Sequence, residues 1–469
     1  MNHSFNQSLY SSDREESRPL TAEECRALGE RVLRMCHGGE VLVNIDSTMV
    51  GGLRWGRNHI SSTVDTINHV ITVTQYANGR SLIGQTNKLD NASIKSCIET
   101  AQRISTVQRT RVTSGESSLV GPQQYLDAHI YSDATIALDA SARATAVKPF
   151  AQLAEQQQLL AAGYLGVTAQ SSGIVQSNGW TAYTTQTLAA YSISVRDRLG
   201  TASGWAGSSL FDWAKIDIEK LSHTAIDKCI QSANPRMIEP GRYTTILEPQ
   251  AVAELMQPML KSMDWGRAAK GYGPWRAEVP GRTKVGKKMF DPRITIQSDP
   301  ADPEIGYPPF DSNGFALNKV VWVETGILKT LQHDIDFSRR YLGNNERAIF
   351  TGSFRADGGP TSIDEMIAQT ERGVLVTRFN GAGESFQVLD YWSLTLASNT
   401  RDGTWLIERG KITHSIRNLG FVESPVFVFN KVDLIGPAVP VHRDDVAYQR
   451  IVPAMRIRDF NFTHLTDAV

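Results

Sequence analysis

Histidine is scarce and scattered in this chain of 469 residues. The ten histidines are His3, His37, His59, His69, His129, His223, His333, His414, His442 and His464, and no two lie three to five residues apart. That excludes a His-x-x-x-His helix pair, a His-Glu-x-x-His motif and a Cys/His finger. Any metal site would need ligands gathered from distant segments. Cysteine is equally sparse: Cys25, Cys36, Cys97 and Cys229 show neither zinc-site spacing nor a dense disulfide pattern. Reduced, partly buried thiols are the expectation. No Gly-x-Ser-x-Gly elbow and no phosphate-binding Gly-x-x-x-x-Gly-Lys-Ser/Thr loop occurs. No run of about 18 apolar residues exists, so no spanning helix is expected. The opening stretch MNHSFNQSLYSSDREESRPL has no apolar core, so no signal peptide is expected either. The 48 basic and 49 acidic side chains nearly cancel. Bulk electrostatics therefore supplies no nucleic-acid or anionic-membrane partner. A cytoplasmic protein is the reading.

What is present reads as an α+β chain. Residues 1–20 read as a disordered tail. An N-terminal α+β module follows over 21–107. It opens with a helix at TAEECRALGERVLRMCH, where Thr21 and Glu24 make a capping box. HVITVTQYANGRSLIGQTN (69–87) is a hairpin, with Ile71 and Val73 alternating and Asn78-Gly79 as a type I′ turn. A helix starts at Asn91. Residues 108–130, rich in Ser, Gly, Pro and Gln, read as a linker. A middle α+β module spans 131–240. It begins with one helix from Asp133 and closes with an amphipathic helix, apolar at Ile218, Leu221, Ala225, Ile226, Cys229 and Ile230. From 241 to 469 short strands and Gly-centred turns predict a larger, mostly β C-terminal domain. VWVETGILKTL and WLIERGKITHSI both read strand, Glu-x-Gly, strand. Between them, Thr361 is the expected N-cap of a helix and Gly373 its C-cap.

Candidate chemistry is thin. His333-Asp334-Ile-Asp336 and His442-Arg443-Asp444-Asp445 are the two richest clusters, and both fit polar loops or strand ends. NGAGES (380–385) reads as a tight loop at a cleft rim. The stretch ILEPQAVAELMQPMLKSM (246–263) predicts a helix with Pro249 in its first turn and Pro258 kinking or ending it. Ala251, Val252, Leu255, Met256, Met259, Leu260 and Met263 form one apolar stripe, a packing face. Its polar side offers Glu254, Gln257, Lys261 and Ser262, which is no zinc ligand set.

Several stretches, in order, resemble the TldD/PmbA family. They are VTQYANGRSLIGQTNKLDNASI, IVQSNGW, DIEKLSHTAIDKCIQSANPRMIEPGRYTTILEPQAV, FALNKVVWVETGILKTLQHDIDFSRRYLG, GGPTSIDEMIAQTERGVLVTRFNGAG, NTRDGTWLIERGKITHSIRNLGFVES and VPAMRIRDFNF. The likeness covers about residues 40–465. It implies an N-terminal α+β portion, a larger C-terminal β portion and a dimer with a groove between subunits. The family has two kinds of subunit. The TldD-like kind carries His-Glu-x-x-x-His and a late Cys and binds zinc. The TldE/PmbA-like kind lacks them and pairs with the first, and the pair acts as a peptidase on small or unfolded peptides. Carried onto this chain, the zinc helix falls near Leu255 to Ser262, which reads LMQPMLKS. Both His positions and the catalytic Glu are missing there, and Cys229 is the last cysteine. The resemblance therefore implies no catalytic or metal-binding residue in this chain, with zinc on a TldD-like partner.

Three readings stand at this point. In the first, the chain is the non-catalytic subunit of a peptidase complex. It binds extended peptide along a strand edge, with Asn380, Arg401 and Asp402 as groove residues and a TldD-like subunit, or a second copy, as partner. The second is a self-sufficient hydrolase built around His333, Asp334 and Asp336. The third is a non-proteolytic, homodimeric peptide-binding protein.

Overall fold

The computed structural model describes residues 18–77, 80–104, 119–380, 386–442 and 448–466. Helix α1 (Ala22–Leu33) starts where the capping box places it. The Thr21 hydroxyl accepts the Glu24 N–H, and the Glu24 carboxylate accepts the Thr21 N–H at 2.7 Å. Three strands follow, β1 (Glu40–Gly56), β2 (His59–Ala77) and β3 (Arg80–Thr86), then α2 (Asn91–Ile104). The Asn78-Gly79 turn, most of the expected tail and residues 108–118 of the expected linker lie outside the described residues. Next come α3 (Ala140–Gln156), β4 (Leu160–Gln176), β5 (Thr181–Arg196), β6 (Ser203–Leu210) and α4 (Ile218–Gln231).

These strands form one antiparallel sheet in the order β3-β2-β1-β4-β5-β6. It draws on both 21–107 and 131–240, because β1 pairs with β4 from Leu42↔Gln176 to Trp55↔Gly163. Side chains of a strand alternate between faces, and one face is closed by helices. Val43, Ile45, Ile71 and Val73 pack under α1 and α2 with Cys25, Val32 and Ile94. Leu53, Leu165, Tyr191 and Ile193 pack under α3 and α4. All four cysteines are free. Burial pushes the Cys25 and Cys229 thiols up to about 12, which leaves them inert as nucleophiles.

After residue 240 the chain builds a twelve-stranded sheet. Five of its members are β7 (Gly241–Leu247), β8 (Arg372–Phe379), β9 (Thr395–Glu408), β10 (Leu419–Glu423) and β11 (Arg450–Leu465). β7 pairs with β8, β8 with β9, β9 with β10, β10 with β11, and β11 returns to β7, so these five close into a ring. Closure removes the free edges that such strands would otherwise present. Against β7, β8 and β11 lies α5 (Pro249–Lys261), at the centre of the largest apolar core. The observed class is the expected α+β, with a larger C-terminal sheet.

Several local expectations change. Helix α5 runs through Pro258 to Lys261, since burial of both flanking turns outweighs the lost backbone bond. Its polar side is not a solvent face: Gln250 to Gln257 are all buried. The single helix from Asp133 splits, and Asp139 caps α3. The helix expected from Thr361 runs from Ile363 to Ala368 and is capped by Ser362, not Thr361, in a box with Glu365. Gly373 lies in β8 and ends no helix. A Cβ there would stand 2.5 Å from the Thr244 carbonyl oxygen, so glycine lets β7 and β8 approach. Ile230 is on the solvent side of α4. Both Glu-x-Gly turns have two residues at positive φ, Thr325-Gly326 and Arg409-Gly410, which is type I′ geometry.

Candidate functional site

The site begins with a polar residue in an apolar helix. Glu254 is 1% exposed on α5. One carboxylate oxygen accepts the Phe379 N–H at 2.8 Å, and the other accepts the Gln250 side-chain amide at 3.1 Å. Burial raises its pKa to about 7, with Arg378 and the two hydrogen bonds opposing. The Gln250 side-chain oxygen Oε1 accepts the His442 backbone N–H at 3.1 Å. The His442 ring meets Trp205 of β6 edge-on at 5.8 Å, and the Arg378 guanidinium lies over the same indole at 4.7 Å.

Arg378 and Arg401 face each other across β8 and β9. Two like charges in that position repel, and a bulge resolves it. Between Val376↔Thr404 and Arg378↔Arg401 the β9 strand carries an additional residue, which re-aims Asp402. Asp402 sits at φ +54°, 1% exposed. Its carboxylate accepts from Arg378 Nε at 2.8 Å and from Arg378 Nη2, and stands 3.4 Å from Arg401 Nε. Arg401 Nη1 donates to Asn380 Oδ1 at 2.7 Å. Burial, with Arg378 and Arg196 close by, pulls the Arg401 guanidinium below its ordinary pKa, against the pull of Asp402.

The three residues singled out from sequence are therefore linked through Arg401, which meets Asn380 and Asp402. Asn380 directly follows β8, Arg401 is partly exposed, and Asp402 is buried beneath it. A half-open cavity of about 380 Å³ adjoins the bulge, lined by Gly403, Thr404 and Asn418 with Ser203, Ser232 and Asn234 from the first sheet and α4. Sequence reading missed Glu254 as a site residue, though a lone carboxylate inside AVAELM was the signal. Arg378 and Trp205 carried no local signal, because only the fold brings β6 against β8.

The other candidates do not assemble. His333 Nδ1 is held by the Leu331 carbonyl oxygen at 2.7 Å. The Asp334 carboxylate accepts the Phe337 N–H at 2.7 Å as a helix cap, and Asp336 is exposed. Residues 381–385 of the Gly-rich loop and Arg443, Asp444 and Asp445 lie outside the described residues. Among the described residues, no three His, Cys, Asp or Glu side chains gather as a metal set, and no helix is long and apolar enough to cross a membrane.

Residues 240–464 match the PmbA/TldA metallopeptidase C-terminal domain. A metalloprotease of Archaeoglobus fulgidus is 26% identical over 160 residues, 32% of this chain and 36% of the relative. The chain spans half or less of the length of the curated relatives it matches. Among solved structures, TldE of Thermococcus kodakarensis superposes with a TM-score of 0.77 at 17% identity, over 94% of this chain and 99% of that one. A proposed modulator of a DNA gyrase from Thermotoga maritima superposes with a TM-score of 0.80 at 17% identity, over 93% and 99%. The matched domain and the shared fold agree: residues 240–464 of this chain are a domain of the PmbA/TldA family, on a fold shared with TldE along almost the whole chain.

Proposed function

We propose that the chain is a subunit of a cytoplasmic peptidase assembly that carries no zinc of its own and shapes the groove for a small or unfolded peptide beside a metal-bearing partner. The observation that carries this is the chemistry of α5. Its donors are Gln250, Glu254 and Gln257, with no imidazole or thiolate. Both oxygens of its one carboxylate are taken by Phe379 and Gln250. Amides and thioethers are poor zinc ligands, so this helix does not fit the metal and no hydrolytic step is assigned to this chain.

In this reading, the Asn380, Arg401 and Asp402 group contributes to the groove. Arg401 offers charge-assisted donors to a peptide carbonyl or carboxylate, and the buried Asp402 holds it in place. Backbone recognition of this kind suits substrates of varied sequence. The test is metal analysis and peptide hydrolysis on the purified chain, alone and co-expressed with a His-Glu-x-x-x-His subunit. Zinc and activity are expected only with the second subunit. Stoichiometric zinc and peptide cleavage by the chain alone would overturn the proposal.

A further inference from the structure

The near-neutral total charge hides an uneven distribution. Seven of the 48 lysines and arginines, against one of the 49 acidic residues, fall between residues 267 and 288. The segment thus carries a formal charge of +6, and the rest of the chain −7. Among the described residues none of the seven forms a salt bridge. Arg282, Lys287 and Lys288 are exposed. Arg276 pairs with Thr283 across a short hairpin, and the Lys284 N–H donates to the Trp275 carbonyl oxygen at 2.8 Å, which holds Arg276 and Lys284 near each other. Burial and Arg276 together pull the Lys284 ammonium below its ordinary pKa, against Glu278. A positive field that the fold leaves uncompensated suits a polyanion.

Beside this field stands an aromatic platform. Tyr272, Tyr391 and Trp392 are 54%, 67% and 51% exposed. The Tyr272 ring stacks on Trp392, with centroids 5.9 Å apart and planes 28° from parallel. The Arg276 guanidinium lies over the same indole at 4.7 Å and donates to the carbonyl oxygens of Trp392 at 3.1 Å and Gly273 at 2.6 Å. The Asp390 carboxylate accepts the Trp392 N–H at 2.9 Å and fixes the turn that enters β9. The rings are therefore held in place before any ligand arrives, which lowers the entropy lost on binding.

We infer that this surface binds single-stranded nucleic acid, with bases stacked on the Tyr272, Tyr391 and Trp392 group and phosphates held by the lysines and arginines of 267–288. Every base has a π-face, so stacking on an aromatic ring tolerates any sequence. The Arg276 guanidinium plane offers a further stacking surface, and the free cations exchange counterions with the phosphates. In a duplex the base faces are already covered by their neighbours, so the rings would have nothing to stack on. An acidic peptide matches the charge and leaves the rings uncovered. An anionic bilayer matches the charge too, but the guanidinium on the indole face would have to be desolvated there. The inference does not rest on the peptidase reading.

The experiment uses the full chain with fluorescein-labelled oligo(dT) and oligo(rU), read by anisotropy at low salt. Binding to one or both is expected, and the preferred strand tells DNA from RNA. A duplex of the same length should bind about tenfold more weakly or worse. Trp392→Ala should weaken binding about tenfold, while Trp392→Phe keeps most of it. Lys287→Glu combined with Lys288→Glu should weaken it by about as much at low salt and flatten its salt dependence. Circular dichroism checks the fold of each variant. The Lys287 and Lys288 pair is exposed, so it carries the test even if Trp392→Ala fails to fold. No binding of either strand at low salt would overturn the inference. So would equal affinity for the duplex, affinity indifferent to a folded Trp392→Ala or to the double charge reversal, or full competition by polyglutamate. Binding to phosphatidylserine vesicles in place of the oligonucleotides would overturn it as well.

Discussion

Replacing Glu254 by glutamine tests the buried group directly. The folded protein holds this carboxyl at a pKa of about 7, against 4.5 for the unfolded chain. Below 4.5 both states are protonated. Between 4.5 and 7 the unfolded chain releases its proton while the folded one keeps it, so stability falls as pH rises. Above 7 both are ionised and the loss is complete. Each tenfold difference in proton affinity between the two states is worth about 1.4 kcal/mol, so the drop from pH 4.5 to pH 8 is about 3 kcal/mol. Glutamine never ionises, and its carbonyl oxygen still accepts the Phe379 N–H. The assay is thermal or urea unfolding of both proteins at intervals from pH 5 to pH 8. The expected result is a stability difference that moves toward the variant by about 2.5 kcal/mol across that range, several degrees in midpoint for a domain of this size. A difference that stays constant with pH would refute the assignment of Glu254 as a buried, late-titrating acid.

Two further substitutions probe the same region. Asp402→Ala leaves the Arg378 and Arg401 guanidinium groups opposed and puts alanine at φ +54°. A loss of about 3 kcal/mol or more is expected, and Asp402→Asn, which tolerates that backbone, should lose less. Equal urea midpoints for the parent and Asp402→Ala would show that the carboxylate does not hold the pair. Gly373→Ala forces a methyl to within 2.5 Å of the Thr244 oxygen. It should cost about 2 kcal/mol through separation of β7 from β8, read as a lower melting midpoint of the C-terminal part, and an unchanged midpoint would contradict the packing.

Much of the local structure was legible because it obeys local rules. Thr21 and Glu24 mark a helix start through bonds that span three residues. Ile71 and Val73 show a strand by alternation. The helix expected at Asn91 starts there, capped by Asp90, and Pro249 sits in the first turn of its helix. Asn380, Arg401 and Asp402 were picked as polar positions around a loop and a hairpin, and they do touch. Their arrangement was not legible, because the bulge that turns Asp402 inward exists only in the pairing of β9 with β8. Gly373 looked like a helix terminator for the same reason: the close neighbour that demands glycine is Thr244, far away in sequence.

Sequence alone determined which chemistries are absent from the regular motifs, where most helices and strands begin, and that α5 would be an apolar helix without imidazoles. Those properties depend on residue type and near-neighbour spacing. Tertiary structure decided that α5 is buried all round from Gln250 to Gln257, that Glu254 titrates late, and that Trp205 meets Arg378. Each of these is a matter of desolvation or of pairing between distant segments, and those energies are set only when the chain closes on itself.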